Sequence, residues 1–216
     1  MARLICLVVG YGFGLIQTAV IFGKIQGFDI RKQGSGNAGT TNMLRVKGFK
    51  AGMIVFAGDF LKGLVAVALM TAVFRASHPD TIYLLKVYTA LGVVLGHDYP
   101  FYLKFKGGKG IATTAGFMNA FHWSFIPVGV CMFFIPFLIT HYVSLGSLML
   151  YTGLFVQTVI SGQMGLFAGS SQATLNEMYI IVGGMTALAF FQHRANIGRL
   201  IHHNERKTYL TKKNKV

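Results

Sequence analysis

Acidic residues are scarce in this chain: 6 Asp and Glu stand against 20 Lys and Arg over 216 residues, a formal charge of +14. Such an imbalance can accompany nucleic-acid binding. Here the basic residues fall between apolar runs, with no soluble basic domain and no aromatic platform, so nucleic acid is not the expected partner. Cysteine is almost missing as well. Cys6 and Cys131 both sit inside apolar runs, which excludes a CxxC motif or a disulfide framework and leaves packing as their role. Charged residues make up only 12% of the chain and hydrophobic ones 53%, at a mean hydropathy of +0.55. That composition excludes an ordinary soluble domain and points to an all-α, polytopic membrane helix bundle. No internal repeat or low-complexity tract is evident.

A helix crossing ~30 Å of hydrocarbon needs roughly 20 apolar residues, fewer where protein covers it. The apolar runs are Leu4 to Phe22, Ala51 to Phe74, Ile82 to Leu95, Ser124 to Ile139, Val143 to Phe167 and Met178 to Gln192, with a shorter seventh from Ile111 to Phe121. The first has no small-x-small cleavage site and reads as a retained transmembrane helix rather than a signal peptide. Basic residues cluster in three segments: Lys24 to Lys50, Lys104 to Lys109, and Arg194 to Lys215. The loops at Arg75 to Thr81 and Ala168 to Glu177 carry almost none. Only an odd number of crossings places all three basic segments in the cytoplasm, so about seven helices are expected, with the N-terminus outside and the C-terminus inside. Lys86 is expected to snorkel to the outer surface. Asp59 and Lys62, at i,i+3 deep in the second run, are expected to pair structurally, because an unpaired charge there costs at least ~2.5 kcal/mol. His97 reads as a hydrogen-bonded structural histidine at a span end.

Three polar segments share the cytoplasmic face: GSGNAGTTNMLR from Gly34 to Arg45, GHDYPFYLKFKGGKGIATTAG from Gly96 to Gly116, and HRANIGRL from His193 to Leu200. Glycine-rich turns can aim backbone N–H groups inward as an anion nest, and an adjoining helix N-terminus adds partial positive charge. Several catalytic signatures are missing. Gly34 to Gly39 has Walker spacing, yet Thr40 stands where Lys is needed, and no strand precedes the loop. None of the seven histidines has an Asp five residues on, no nucleophile elbow exists, and no ligand set at metal spacing joins His202 and His203. No metal and no cofactor are expected.

Together the three segments resemble the bacterial acyl-phosphate:glycerol-3-phosphate acyltransferases of the PlsY type. GSGNxGATNxxR and DxxKG are matched by Gly34 to Arg45 and by DFLKG at Asp59 to Gly63. GHxxPxFxxFKGGKGVAT is matched by Gly96 to Thr113, and NIxRLxxGxE by Asn196, Ile197, Arg199, Leu200 and Glu205. The chain departs from the pattern at Thr40 (usually Ala), Phe49 (usually Lys) and His203 (usually Gly). His141 opens a further stretch that usually begins with Arg.

The resemblance implies transfer of a fatty acyl group from acyl phosphate to the sn-1 hydroxyl of glycerol 3-phosphate, giving lysophosphatidic acid and phosphate. It places Arg45 and Lys109 on the glycerol 3-phosphate phosphate, with Lys106 on the basic rim. Ser35 and the backbone around Gly34, Gly36, Asn37 and Gly39, with Thr41, Asn42, Gly107 and Gly108, would line the departing phosphate or the polarised carbonyl. His193 and Asn196, at i+3, would orient the glycerol hydroxyls; His193 could also serve as a general base. The implied organisation is one transmembrane acyltransferase domain over residues 1–203, with cytosolic loops 24–50, 96–116 and 193–203. A frayed basic tail, 204–216, follows and touches lipid head groups. The setting is the bacterial inner membrane. A phosphate or organophosphate transporter is the alternative, since glycine-broken loops and cationic residues also build substrate paths.

Overall fold

The computed structural model describes residues 1–210, which form ten α-helices and no strand. Lys212, Lys213 and Lys215 of the expected tail lie outside the described residues.

The first apolar run is two helices rather than one: α1 (Ala2–Gly14) and α2 (Thr18–Ile25). Gln17 leaves helical geometry at φ −95° and ψ 86°. The carbonyls freed at the break find buried donors. The fully buried Gln17 amide donates to Gly14 O at 3.2 Å and to His97 O at 2.9 Å, and the Lys62 ammonium donates to Ile16 O at 2.6 Å. Lys62 reaches the break from α4 (Phe49–Phe74), where it also pairs with Asp59 at 3.0 Å. Apolar periodicity gave no hint of the break, because a partner 46 residues away supports it.

Glycines decide how the helices meet. Gly10 and Gly14 of α1 lie against Gly92 and Gly96 of α5 (Ile82–Asp98). A Cβ on Gly10 would strike the Thr89 carbonyl, and one on Gly92 the Leu7 carbonyl. The two helices therefore run side by side in the same direction at backbone contact, the small-xxx-small arrangement of membrane helix pairs. The same device joins α4 to α6 (Ile111–Phe121), where Gly63 abuts the Thr113 carbonyl and Gly116 the Phe60 carbonyl.

The bundle is completed by α7 (Phe125–Thr140), α8 (Val143–Gln163) and α9 (Gln172–Gln192). Their core, shared with α5 and α6, is built on Tyr151, Phe117, Phe121 and Phe125. Arg3, at the start of α1, forms a two-pronged ion pair with Glu177 of α9 at 2.7 Å, and Tyr88 joins it. Four segments, Ala2–Ile25, Phe49–Phe74, Val143–Gln163 and Gln172–Gln192, are long and apolar enough to cross a membrane; α5, α6 and α7 are shorter. The Lys86 side chain, expected to snorkel, finds protein partners. Its ammonium donates to Phe121 O at 2.9 Å and lies over the Tyr83 ring, so it caps the C-terminus of α6.

Two short helices, α3 (Thr40–Lys47) and α10 (Arg194–Ile201), belong to the polar segments at one end of the bundle. Residues beyond α10 are not frayed as far as Leu210: Glu205 and Thr208 are buried, and the Thr208 N–H donates to His141 O at 2.9 Å. Hydrogen bonds that a basic composition does not disclose hold this stretch in place.

Candidate active site

The first glycine loop is held by one side chain. Asn42, 1% exposed, accepts from the Ser35 N–H at 2.9 Å and donates to Gln33 O and Asn37 O at 3.0 Å. Its polar atoms face the loop, so Asn42 shapes the site rather than holding substrate. Gly34 and Gly36 have positive φ, 60° and 73°, which glycine adopts without a Cβ clash. The Gly36 N–H is taken by Gln33 O and the Gly39 N–H by Asn37 O. The donors this loop offers are instead the first N–H groups of α3, at Thr40 and Thr41, which have no intrahelical acceptor, together with the exposed Ser35 hydroxyl.

The second loop is not an anion nest at its glycine pair. Gly107 N–H donates to Asp98 O and Gly108 N–H to His97 O, both at 3.0 Å, so the pair caps α5. A Cβ on Gly108 would run into the His97 ring. The close fit fixes the position of Lys109, next in the chain. His97 is in turn held by Lys62, at 2.7 Å from its Nδ1.

In the third segment, His193 sits between α9 and α10, 3% exposed. Its Nδ1 lies 2.8 Å from Ala189 O. The carbonyl can only accept, so Nδ1 carries the proton and Nε2 keeps its lone pair. Burial, with the Lys109 charge nearby, pulls the imidazole pKa down to about 4. Asn196 accepts from Lys109 Nζ at 2.5 Å and donates to Glu205 Oε1 at 2.7 Å. Glu205 also accepts from Arg199 at 2.7 Å and Ser144 at 3.2 Å. A relay of opposite charges and one amide thus runs Lys109, Asn196, Glu205, Arg199. Burial lowers the Lys109 pKa to about 8, against the raising influence of Glu205. The same desolvation lowers that of Arg45.

These parts surround one cavity of about 730 Å³. Its polar end is lined by Gly34, Ser35, Gly36, Asn37, Gly39, Thr41, Asn42, Arg45, Gly107, Lys109, His193 and Asn196. The N-termini of α3, α6 and α10 all open there, at Gly39–Thr41, Gly110–Ala112 and His193–Asn196. Aligned peptide dipoles favour an anion at each. The cavity continues without a break into an apolar part between α4, α6, α7 and α8, walled by Phe56, Phe60, Met118, Gly129, Phe133 and Leu150. Of the residues expected at the site, Lys106 and Gly108 stand apart: Lys106 is exposed and does not line the cavity, and Gly108 is buried against His97.

The family model for glycerol-3-phosphate acyltransferases matches residues 4–203. The chain belongs to this family. It is 40% identical over 207 residues to the glycerol-3-phosphate acyltransferase of Clostridioides difficile (strain 630), covering 94% of each chain. It is 37% identical over 202 residues to that of Bacillus subtilis (strain 168), covering 93% of this chain and 95% of the relative. The crystal structure of PlsY in its glycerol 3-phosphate form, an integral membrane acyltransferase, superposes with a TM-score of 0.79 at 32% identity, over 97% of this chain and 96% of that one. The lysophosphatidic acid form of PlsY gives the same TM-score at 30% identity, over 97% of both chains. This acyltransferase is thus a multi-pass membrane enzyme of a bacterial family, and the transporter alternative falls.

Within it, sequence reasoning missed Ser144 and Thr208 at the site. Ser144 falls within the family-like stretch that His141 opens, which was its one signal, while nothing around Thr208 distinguishes it from a solvated tail.

Proposed function

We propose that this acyltransferase moves a fatty acyl group from acyl phosphate to the sn-1 hydroxyl of glycerol 3-phosphate, releasing lysophosphatidic acid and inorganic phosphate. The bundle crosses the membrane seven times, α6 included, with the N-terminus outside and the site at the cytoplasmic end. The observation that carries the reading is the single cavity whose polar end gathers Arg45, Lys109 and the N-termini of α3, α6 and α10, and whose other end is apolar. Two phosphates and one hydrocarbon chain must meet in one place, and this cavity provides for all three.

Arg45 and Lys109 hold the glycerol 3-phosphate dianion by charge-assisted hydrogen bonds. The Ser35 hydroxyl and the first N–H groups of α3 face the acyl phosphate and stabilise negative charge developing on the attacked carbonyl or on the departing phosphate. His193 Nε2 accepts from a glycerol hydroxyl and orients it. An imidazole with its pKa near 4 is a weak base at neutral pH. The hydroxyl proton passes to an oxygen of the departing phosphate, a good leaving group that needs positioning more than deprotonation of its attacker.

The test is phosphate release by the purified protein in lipid with palmitoyl phosphate, with and without glycerol 3-phosphate, beside Lys109→Ala. Acceptor-dependent release with lysophosphatidic acid formed, lost in the variant, supports the reading. Release that ignores the acceptor, or use of acyl-CoA alone, overturns it.

A further inference from the structure

Arg45 is not free in the cavity wall. Its Nη2 donates to the Thr208 hydroxyl at 2.7 Å and to Arg206 O at 3.2 Å, while its buried Nε has no protein partner. Thr208 is 1% exposed and itself fixed: its N–H donates to His141 O at 2.9 Å, and the next residue, Tyr209, packs its ring 4.7 Å from the His141 ring. His141 turns the chain between α7 and α8 in a left-handed conformation, φ 61°. The segment from Glu205 to Tyr209 is therefore pinned at Glu205 by Arg199, Asn196 and Ser144, and at Thr208 and Tyr209 by His141, with Arg45 gripped between. The residues that grip Arg45 lie beyond residue 203, where the family match ends.

We infer that Thr208 is a positioning residue for the phosphate site: by holding Nη2 of the Arg45 guanidinium, it fixes the direction in which the cavity-lining part of that side chain meets the phosphate of glycerol 3-phosphate. The inference rests on the proposed reaction. A planar guanidinium gripped at one nitrogen has its other donors fixed in direction, so little rotamer freedom is lost when phosphate arrives. Without the grip, a long side chain must be ordered by the ligand itself. Thr208 touches no substrate, and its effect appears in acceptor binding rather than in the acyl-transfer step.

Thr208→Val removes the acceptor at nearly constant shape, and Thr208→Ser keeps it. The full chain in lipid is assayed with palmitoyl phosphate, alongside calorimetric binding of glycerol 3-phosphate and thermal unfolding. The expected result for Thr208→Val is a rise in KM and Kd for glycerol 3-phosphate on the order of tenfold. Expected with it are unchanged kcat, unchanged KM for palmitoyl phosphate and unchanged Tm, with Thr208→Ser close to the parent. An unchanged KM for the acceptor in Thr208→Val overturns the inference. So does a parallel loss of kcat, both KM values and Tm, which marks a packing role only. If the parent chain neither binds nor acylates glycerol 3-phosphate, it is the proposed reaction that fails, and the grip on Arg45 has no phosphate to serve.

Discussion

The Lys109 ammonium donates to the Asn196 side-chain oxygen at 2.5 Å, although the two residues lie 87 positions apart. The contact reassigns Asn196. With its oxygen on Lys109 and its amide on Glu205, it holds the cation in place rather than reaching for the glycerol hydroxyls. Asn196→Ala is expected to lower kcat/KM for glycerol 3-phosphate roughly 10- to 100-fold, and Lys109→Ala by more. Because both changes act through one ammonium, the double variant is expected to be no worse than Lys109→Ala alone. Full additivity in that cycle excludes the relay.

The two shifted titrations next to each other make a pH prediction with a sign. Lys109, its pKa lowered to about 8, is charged below that pH and binds the phosphate dianion; as pH rises through about 8 it loses its proton, and kcat/KM for glycerol 3-phosphate falls toward tenfold per unit. Bound dianion favours the ammonium, so the break in kcat lies at higher pH than that in kcat/KM. His193, with its pKa lowered to about 4, is neutral over the range in which free imidazole titrates and gives no acid limb near pH 6.5. His193→Gln keeps an acceptor and is expected to lose about tenfold, short of the 10²–10⁴ that a removed general base costs. A pH–rate profile of the parent and the two single variants, Lys109→Arg and His193→Gln, reads all of this. An acid limb near 6.5 that vanishes in His193→Gln restores the base role.

How the site follows from the sequence depends on which physics each residue obeys. Arg45, Lys109 and His193 stand out through the motifs that resemble the family, and the structure brings all three to one cavity. The glycines were misread in part. Composition says that Gly107 and Gly108 free the backbone, but only the fold shows their N–H groups turned back onto His97 and Asp98. The break at Gln17 and the burial of Thr208 depend on partners far along the chain, which local periodicity does not encode. His203 was a marked departure from glycine, yet it takes the left-handed conformation, φ 55°, and Glu205 still reaches Arg199. The geometry was preserved at some backbone strain.

In the second loop Gly108 is packed against His97 while Lys106 is exposed, so their substitutions differ in outcome. Gly108→Ala places a Cβ against the His97 ring and displaces Lys109, so it is expected to lower Tm by several degrees and activity at least 100-fold together. Lys106→Ala, at an exposed side chain away from the cavity, is expected to change kcat/KM less than threefold. Thermal unfolding and initial rates on both variants decide the matter. A Gly108→Ala protein of parental Tm with selective loss of phosphate binding points back to an anion nest.

Gly129 marks where the hydrocarbon end of the cavity is set. It lies in the first turns of α7, far along the helix from Thr140 and the polar end, and a Cβ there would press on the Met118 thioether. A branched side chain at this position fills the distal apolar space and leaves Arg45, Lys109 and His193 untouched. In Gly129→Val the ratio of rates on palmitoyl over lauroyl phosphate is expected to drop by about tenfold, since each buried CH₂ excluded from the cavity forfeits ~0.8 kcal/mol. KM for glycerol 3-phosphate is expected to stay within twofold of the parent. Equal loss on both donors places the acyl chain elsewhere, for instance along the lipid-facing side of α7, where Ile135 and Leu138 are exposed.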